Sequence, residues 1–200
     1  MRFVLASHNK KKMTELAAIL DELGIEIVPL PADAPEPVED GASFEENALI
    51  KARAAASLTG LPAIADDSGL CVDALGGAPG IYSARYCAGD DHDRNTFLLQ
   101  NMAGRDNRSC RFVCAIACVL PNGDTLAVRG ECEGELMCEC HGEGGFGYDP
   151  LFYVPAYGCT FGELAPEIKN RISHRTRALQ TFKQALKELL EHNTQEMGSC

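Results

Sequence analysis

Long apolar runs are missing from this 200-residue sequence, and none approaches the roughly 18–20 residues that a membrane-spanning helix requires. The apolar stretch near the amino terminus is too short for a secretory signal, and the neighbouring lysines follow it instead of preceding it. Internal repeats and low-complexity linkers are absent as well. We therefore expect a cytoplasmic protein with no membrane partner.

Basic residues are scarce: 18 Lys and Arg stand against 29 Asp and Glu, which gives a formal net charge of −11 at pH 7. Proteins grip nucleic-acid backbones through clusters of Lys and Arg, so this charge argues against a nucleic-acid partner. A small anionic ligand is not excluded, provided that the few cations are gathered locally or that a metal ion intervenes. The densest cationic point is the run Lys10, Lys11 and Lys12.

Cysteine, by contrast, is abundant, with ten residues in the chain. The chain is neither short nor evidently secreted, so we expect no disulfide scaffold. Three cysteines spaced by four residues would fill an apolar strand as small buried side chains: Cys110, Cys114 and Cys118. The only candidates for a soft-metal site lack the second paired knuckle that a zinc site usually shows. They are Cys132, Cys138, Cys140 and His141.

A hydrophobic content of 46% allows a substantial core, and the spacing of apolar residues predicts the strands and helices. The predicted strands are residues 2–6, 25–30, 63–65, 70–74, 110–120, 124–133 and 135–140. The predicted helices are residues 9–23, 43–58, 93–102 and 173–191. Ser43 and Glu46 have the spacing of a capping box, and Asn122-Gly123 between two apolar runs predicts a hairpin.

Strands and helices alternate at the start of the chain, which indicates an α/β fold with a mixed β-sheet flanked by helices. We expect a single domain over residues 1–200, of which about 191–200 form a polar tail.

Three polar segments interrupt the predicted regular structure. The first, Ser7 to Lys12, joins a strand to a helix, and the free N–H groups at a helix start bind anions. A solvated run of lysines is the alternative, and the spacing alone does not decide between the two. The segment lacks the Gly-x₄-Gly-Lys-Ser/Thr pattern and is therefore not a P-loop.

The second segment is Asp66-Asp67-Ser68-Gly69. Two adjacent carboxylates directly after a buried strand lie where open α/β sheets bind ligands, and oxygen ligands of this kind suit Mg²⁺. A simple polar turn is the alternative, because the same residue types form turns in any protein. Glu39 is a further carboxylate that could approach.

The third segment, residues 142–150, is rich in glycine, which permits close backbone approach to a ligand. Phe146 and Tyr148 offer flat faces on which a base could stack, and Asp149 offers an acceptor; a tight loop without a ligand is the alternative. Ser173 is a candidate cap near three further cations: Lys169, His174 and Arg175. Together, the three segments describe a site for a nucleoside triphosphate bound with Mg²⁺.

Six ordered blocks of sequence resemble a known family. They are Ser7-His8-Asn9 with Lys12 and Glu15, Phe44 to Ala48, Ala65 to Leu70, Gly77 to Arg85, Gly144 to Pro150 and Ile172 to Arg175. Spread over about residues 2–190, these blocks are similar to the inosine triphosphate pyrophosphatase family, especially its bacterial branch. The resemblance implies an elongated mixed α/β fold of two lobes with a central cleft, usually as a homodimer. It also implies Mg²⁺-dependent hydrolysis of ITP, dITP and XTP to the monophosphate and pyrophosphate, which clears deaminated purines from the nucleotide pool.

The resemblance also assigns roles to individual residues. Asp67 would be the catalytic carboxylate and, with Glu39, a ligand of Mg²⁺. The triphosphate would be bound by the first segment: Ser7, His8, Asn9, Lys10, Lys11 and Lys12. The other substrate contacts would come from Ser68, Phe146, Gly147, Tyr148, Asp149, Lys169, His174 and Arg175.

Three positions depart from the family pattern. Ser-His-Asn fills the first loop where Thr-Gly-Asn is common, so the backbone at His8 would bind phosphate less closely. Lys11 stands where bacterial members often have glycine. Val38 stands where some members carry an acidic metal ligand, which leaves the neighbouring Glu39 as the candidate second ligand.

These assignments suggest a mechanism. Asp67 or Asp66 would orient or deprotonate the attacking water, while lysines and helix N–H groups would stabilise the leaving pyrophosphate. Hydrogen bonds from His174, Arg175 and the backbone N–H groups near Phe146 would select a 6-keto purine over adenine. The alternatives are a pyrophosphatase for modified pyrimidine or methylated nucleotides, a nucleotide-binding sensor without turnover, and a zinc-binding interaction module.

Overall fold

The computed structural model describes residues 1–7, 10–21 and 24–197. Within these residues there are seven strands: β1 Arg2–Leu5, β2 Glu26–Pro29, β3 Ala63–Val72, β4 Ser109–Val119, β5 Thr125–Leu136, β6 Phe152–Val154 and β7 Cys159–Thr160. The α-helices of the same residues are α1 Lys10–Asp21, α2 Phe44–Thr59, α3 Asp91–Asn101, α4 Pro166–Ile172 and α5 His174–Met197. In this part of the chain, none of the helices combines the length and the apolarity that spanning a bilayer would require.

The strands form one mixed sheet in the order β2-β1-β3-β4-β5-β6-β7. β1 is parallel to both of its neighbours, and its Val4 lies opposite Val28 of β2 and Ala63 of β3. β6 is antiparallel to β5 and to β7, with Tyr153 opposite Glu135. The predicted α/β class with a mixed sheet is thereby confirmed.

Two compact units divide the chain, and each is assembled from separate segments. Unit 1 comprises Met1–Asp67, Ala115–Gly130 and Arg177–Cys200, and unit 2 comprises Ser68–Cys114 and Glu131–Thr176. The boundaries fall inside β3, β4 and β5, so each of these strands contributes residues to both units.

Unit 1 is packed around β1, in which Phe3, Val4 and Leu5 are fully buried. On α1, the buried Leu16 and Leu20 are four residues apart and therefore share one helix face, as their spacing predicts. α2 contacts β1 and buries a face of small residues: Ala48, Ala52 and Ala55.

The predicted hairpin joins β4 to β5 within unit 1. The N–H of Leu120 donates to the carbonyl of Asp124 at 2.9 Å, and the N–H of Gly123 donates to the carbonyl of Leu120 at 3.0 Å. Gly123 has a φ of +95°, a left-handed conformation that glycine adopts without the steric penalty of a side chain. The Asn122-Gly123 signal is confirmed.

Unit 2 has an aromatic core. The ring centre of Phe112 lies 4.7 Å from that of Phe152, and the ring centre of Phe161 lies 4.8 Å from that of Phe152. Leu98 and Met102 of α3 belong to the same buried cluster, so this helix is fixed to the sheet by apolar packing.

The three strand cysteines are buried in β4, as predicted. Cys110 is 3% exposed, and Cys114 and Cys118 are fully buried. Burial raises the pKa of the Cys110 and Cys118 thiols to about 12, so both remain neutral near pH 7. They act as small apolar side chains.

Phe152→Ala is expected to lower the free energy of unfolding by about 3–5 kcal/mol, because it removes a fully buried ring from between Phe112 and Phe161. Urea denaturation followed by circular dichroism measures the change. Phe97→Ala serves as the control, since the Phe97 side chain is 37% exposed and its loss should cost clearly less. Equal losses in the two variants would contradict this account of the unit 2 core.

Several predicted elements differ from the structure. The strand predicted at residues 135–140 does not form, because β5 ends at Leu136 and the Arg108 side chain donates to the carbonyls of Leu136 and Met137. α4 is absent from the prediction; it begins with Pro166, whose missing N–H costs nothing in the first turn. α5 continues to Met197, so the predicted polar tail from residue 191 is helical over that stretch.

Candidate active site

Asp66 and Asp67 lie inside β3, where they are 2% and 8% exposed. The expectation that residues 66–69 follow the end of a strand is wrong, and so is the alternative of a polar turn, because β3 runs through them without a break. It is the neighbouring strand that ends here. β1 stops at Leu5, which pairs with Ile64, so the two carboxylates lie just past the carboxyl end of β1.

Helix α2 supplies two partners for Asp67. The Nδ2 of Asn47 donates to Asp67 Oδ2 at 3.3 Å, and the Nζ of Lys51 donates to Asp67 Oδ1 at 3.3 Å. Asn47 and Lys51 are four residues apart, which places both on the same face of α2. Lys51 Nζ also lies 3.3 Å from Glu39 Oε1, so Lys51 joins the two predicted metal ligands. Neither helix residue is in the predicted site.

A glycine lets Asn47 reach Asp67 in this orientation. The N–H of Gly41 donates to Asn47 Oδ1 at 2.9 Å, so the amide of Asn47 accepts from Gly41 and donates to Asp67. A Cβ at Gly41 would lie 2.7 Å from the same oxygen, which a side chain does not tolerate. The loop that carries Glu39 is thereby held close to the start of α2.

The start of α2 is fixed by the predicted N-cap. The hydroxyl of Ser43 accepts from the N–H of Glu46 at 3.1 Å. The carboxylate of Glu46 turns back to the N–H of Ala42 at 2.7 Å instead of to Ser43, so only half of the predicted capping box forms. The loop before the helix is held by side chains of the first helical turn.

The charges around Lys51 favour its protonated form. Burial by itself disfavours the ammonium, but Asp67, Asp66 and Glu39 outweigh this, and the net result is a raised pKa for Lys51. Lys51 is therefore charged throughout the neutral range. It offsets part of the repulsion among three neighbouring carboxylates.

The residues of this acidic group fit a divalent cation of the Mg²⁺ type. Asp67 and Glu39 each place a carboxylate oxygen 3.3 Å from one atom, Lys51 Nζ, so the two carboxylates converge. Mg²⁺ in phosphoryl sites usually takes one or two carboxylates together with substrate phosphates. Among the described residues, no three His, Cys, Asp or Glu side chains gather as a metal cluster.

The first predicted segment is described only in part. Ser7 follows β1, and its N–H donates to the carbonyl of Leu5 at 3.0 Å. α1 begins at Lys10, so the predicted strand and helix lie on either side of this segment. His8 and Asn9 lie outside the described residues, as do the side chains of three further predicted phosphate ligands: Lys10, Lys11 and Lys12.

In unit 2, the side chain of Asp149 holds the third predicted segment, residues 142–150, in a tight turn; we call it the aromatic segment. Its Oδ2 accepts from the N–H of Phe146 at 2.8 Å and from Lys169 Nζ at 2.5 Å. Burial raises the pKa of Asp149, and the charges of Lys169 and Arg175 oppose that rise. Lys169 Nζ also lies 5.0 Å from the ring centre of the half-buried Phe146. Three predicted substrate contacts, Phe146, Asp149 and Lys169, therefore form one cluster.

The structure corrects two expectations for this segment. Tyr148 does not offer a face for stacking, because it is only 4% exposed and its hydroxyl donates to the carbonyl of Ser83 at 2.9 Å. The backbone N–H groups near Phe146 are also engaged: that of Phe146 donates to Asp149, and that of Gly147 donates to Asp91 Oδ2 at 2.7 Å. The exposed ring surface in this segment belongs to Phe146.

The remaining predicted contacts lie around the start of α5. His174 is 6% exposed, and its ring stacks on Phe112 with centres 4.8 Å apart. Arg175 is 4% exposed. The Oγ of Ser173 accepts from the N–H of Thr176 at 3.3 Å, which is the predicted capping contact. Ser68 is half-buried in β3, the first residue of unit 2.

The candidate zinc ligands differ in their surroundings. Cys132 is 2% exposed and belongs to the unit 2 core, whereas Cys138 and Cys140 are exposed. In the described ranges they do not form a metal-binding group with His141. By contrast, Asp67 of β3 and Glu39 of the loop before α2 converge on Lys51 Nζ.

Comparison with known proteins identifies the family. A sequence model described as the Ham1 family matches residues 3–185. The chain belongs to the Ham1 family. A dITP/XTP pyrophosphatase from Symbiobacterium thermophilum is 54% identical over 192 residues, which cover 95% of this chain and 97% of that protein. A second dITP/XTP pyrophosphatase, from Desulforamulus reducens, is 50% identical and covers 96% and 98% of the two chains.

A solved Ham1 structure has the same fold. The HAM1 protein from Coxiella burnetii superposes with a TM-score of 0.88 at 44% identity, covering 94% of this chain and 99% of that chain. The resemblance indicated by the six sequence blocks is confirmed at the level of the family and of the fold.

Proposed function

We propose that this Ham1 protein hydrolyses the 6-keto purine nucleotides dITP, XTP and ITP to the nucleoside monophosphate and pyrophosphate. The observation that carries the proposal is the convergence of Asp67 and Glu39 on the half-buried cation Lys51. It gains weight because relatives named dITP/XTP pyrophosphatase are 54% and 50% identical to this chain.

In the proposed reaction, water adds to phosphorus as the α–β anhydride bond breaks, and pyrophosphate leaves. Asp67 orients this water and accepts its proton, because Asn47 and Lys51 hold the carboxylate in one position. Asp67 and Glu39 would hold Mg²⁺, which when bound polarises phosphate oxygens and offsets their charge. Lys51 supplies a fixed positive charge beside the reacting phosphate.

The substrate triphosphate is assigned to the start of α1 and to β3. Helix N–H groups and three lysines would meet the phosphate oxygens: Lys10, Lys11 and Lys12. Ser7, His8 and Asn9 lead into this helix start, and Ser68 follows Asp67 directly on β3. These assignments require the net-negative chain to concentrate its cations where the substrate is most anionic.

The base is assigned to the cluster in unit 2. The half-buried ring of Phe146 would stack on the purine, with Lys169 and Asp149 beside it. His174 and Arg175 would donate to the 6-keto oxygen, and the same donors would oppose the 6-amino group of adenine. One unmatched buried donor costs about 1–3 kcal/mol, so two are enough for strong discrimination. Tyr148 and Gly147 hold the segment in shape instead of touching the base.

Steady-state kinetics on a nucleotide panel tests the proposed function. We expect kcat/KM for dITP, XTP and ITP to exceed that for dATP by about 10²-fold or more, with Mg²⁺ required. Phosphorus NMR should show pyrophosphate and not inorganic phosphate as the second product.

Other results of the same panel would contradict the proposal. Preference for modified pyrimidine or methylated nucleotides would favour the first alternative. Tight binding of ITP without turnover would indicate a sensor, and equal kcat/KM for ATP and ITP would overturn the assigned specificity.

We further propose a cytoplasmic homodimer, which the family resemblance implies. Light scattering behind a sizing column would give about twice the 21.5 kDa mass of one chain. Fractionation of cells that express the tagged protein would place it with cytoplasmic markers. A monomeric mass would contradict the first of these expectations.

A further inference from the structure

Gly147, in the middle of the aromatic segment, is held at both of its backbone polar groups by one helix. Its N–H donates to Asp91 Oδ2 at 2.7 Å, and its carbonyl accepts from Asn95 Nδ2 at 3.0 Å. Asp91 and Asn95 are four residues apart on α3, so they present their side chains from the same face. Both contacts join parts of the chain that are more than 50 residues apart, by 56 and 52 residues respectively.

Asn95 is placed for donation only. It is 4% exposed, and in the part of the chain that the structure describes its Oδ1 is buried without a hydrogen-bond partner. Buried acceptors without a hydrogen bond are rare in native proteins. Turning the amide over would place its oxygen against the carbonyl of Gly147. The contact between Nδ2 and Gly147 therefore sets the orientation of the Asn95 amide.

Asp91 is itself held in place by its own helix. Its Oδ1 accepts from Arg94 Nη2 at 2.6 Å, and Arg94 Nη1 donates to the carbonyl of Gly89 at 2.9 Å. The other oxygen, Oδ2, is thereby directed to the N–H of Gly147. Leu98 packs α3 into the core of unit 2. The hydrogen bond from Gly147 to Asp91 therefore ties the aromatic segment to a helix that is itself fixed.

With Gly147 held in this way, little freedom remains for its neighbours. Tyr148 is fixed through its hydroxyl to Ser83, and Asp149 accepts from the N–H of Phe146. The ring of Phe146 is attached to this fixed turn. A rigid support sets where that ring lies, and base stacking depends on ring position within a fraction of an ångström.

We propose that Asp91 and Asn95 are positioning residues that hold Phe146 in the orientation needed to recognise the purine base. This inference rests on the proposed function, because it assumes that the base stacks on Phe146. It assigns a role in specificity to α3, a helix that the predicted site does not include. The two residues act through Gly147 and do not themselves contact substrate.

The first test does not depend on activity. Hydrogen exchange of the unliganded protein, followed by mass spectrometry, should show exchange in peptides covering residues 142–150 about tenfold faster in Asn95→Ala and Asp91→Ala. Thr96→Ala is the matched control, since it is an exposed residue on the same helix next to Asn95. Equal exchange in all three variants would overturn the proposed support.

The second test is kinetic. In Asn95→Ala and Asp91→Ala, KM for dITP should rise about tenfold with kcat within about twofold, and the preference for dITP over dATP should fall about tenfold. Asp91→Asn keeps an acceptor for Gly147 but loses the one for Arg94, so it should recover only part of the wild-type KM and preference. Thr96→Ala should match the wild type.

The outcomes separate this inference from the proposed function. A wild type without activity on dITP would refute the proposed function, while hydrogen exchange would still decide whether α3 supports the segment. Faster exchange with unchanged KM and unchanged preference would refute the role in base recognition. A loss of kcat with KM unchanged would refute it as well. If Asn95→Ala does not fold, the half-exposed Asp91 gives the same readouts.

Discussion

Asp67→Asn is expected to lower kcat/KM for dITP by about 10³-fold while leaving the protein folded. The amide keeps the size of the side chain and can still accept from Asn47, so the structure around β3 should persist. It cannot take up a proton from water and binds Mg²⁺ more weakly than a carboxylate does. Initial rates of pyrophosphate release, with circular dichroism as a check on folding, measure the effect.

Asp33→Asn is the matched control for Asp67→Asn. Both are carboxyl-to-amide changes in unit 1, but Asp33 is exposed in the loop before α2. Its variant should keep activity within about twofold of the wild type. Activity of Asp67→Asn close to that of Asp33→Asn would contradict the catalytic assignment of Asp67 and, with it, the proposed mechanism.

Local features of the sequence predict the ends of elements well. The hydroxyl of Ser43 caps α2, and Asn122-Gly123 forms the hairpin turn between β4 and β5. Both were predicted correctly because each signal acts between residues that are close in the chain. Segment 66–69 shows where such signals fail. Its residue types favour a turn, yet pairing within the sheet keeps β3 extended through them.

Gly69 explains part of that failure. It reads as a turn glycine, but its φ is not in the left-handed region. A Cβ at this position would collide with the carbonyl oxygen of Gly80 and the side chain of Ser83. Glycine is therefore needed for close packing inside unit 2 and not for a turn. The two reasons for a glycine cannot be told apart before the partner segment is known.

The predicted site omits the residues that α2 and α3 contribute. Lys51 reaches Asp67 over a separation of 16 residues, and Asn95 reaches Gly147 over 52. Nothing in the local pattern of α2 or α3 marks these side chains, because each looks like an ordinary polar position on an amphipathic helix. The sequence offers one signal for the residues of α2. Asn47 and Lys51 are four residues apart, so they share one face of the helix that carries the block Phe44 to Ala48.

Lys51→Met is expected to destabilise unit 1 by about 3 kcal/mol and to lower kcat/KM by about 10²-fold. The side chain of Lys51 is only 15% exposed and lies 3.3 Å from both Glu39 and Asp67, so its removal leaves neighbouring carboxylates without their cation. Thermal unfolding and initial rates measure the two effects. Lys187→Met is the control, because that lysine is 68% exposed and its ion pair with Glu191 is expected to contribute little.

The same variant gives a test of metal binding that does not use activity. Without Lys51, the negative charges of Asp67, Asp66 and Glu39 are no longer offset, and a divalent cation held by Asp67 and Glu39 would relieve their repulsion. Millimolar Mg²⁺ should therefore raise the Tm of Lys51→Met more than that of the wild type, since a ligand stabilises the state to which it binds more tightly. Equal shifts in Lys51→Met and in Lys187→Met would contradict the expected relief of repulsion, and the absence of a shift in both would show that Mg²⁺ does not bind to this acidic group. A smaller shift in Lys51→Met than in the wild type would mean that Lys51 supports the cation site instead of competing with it.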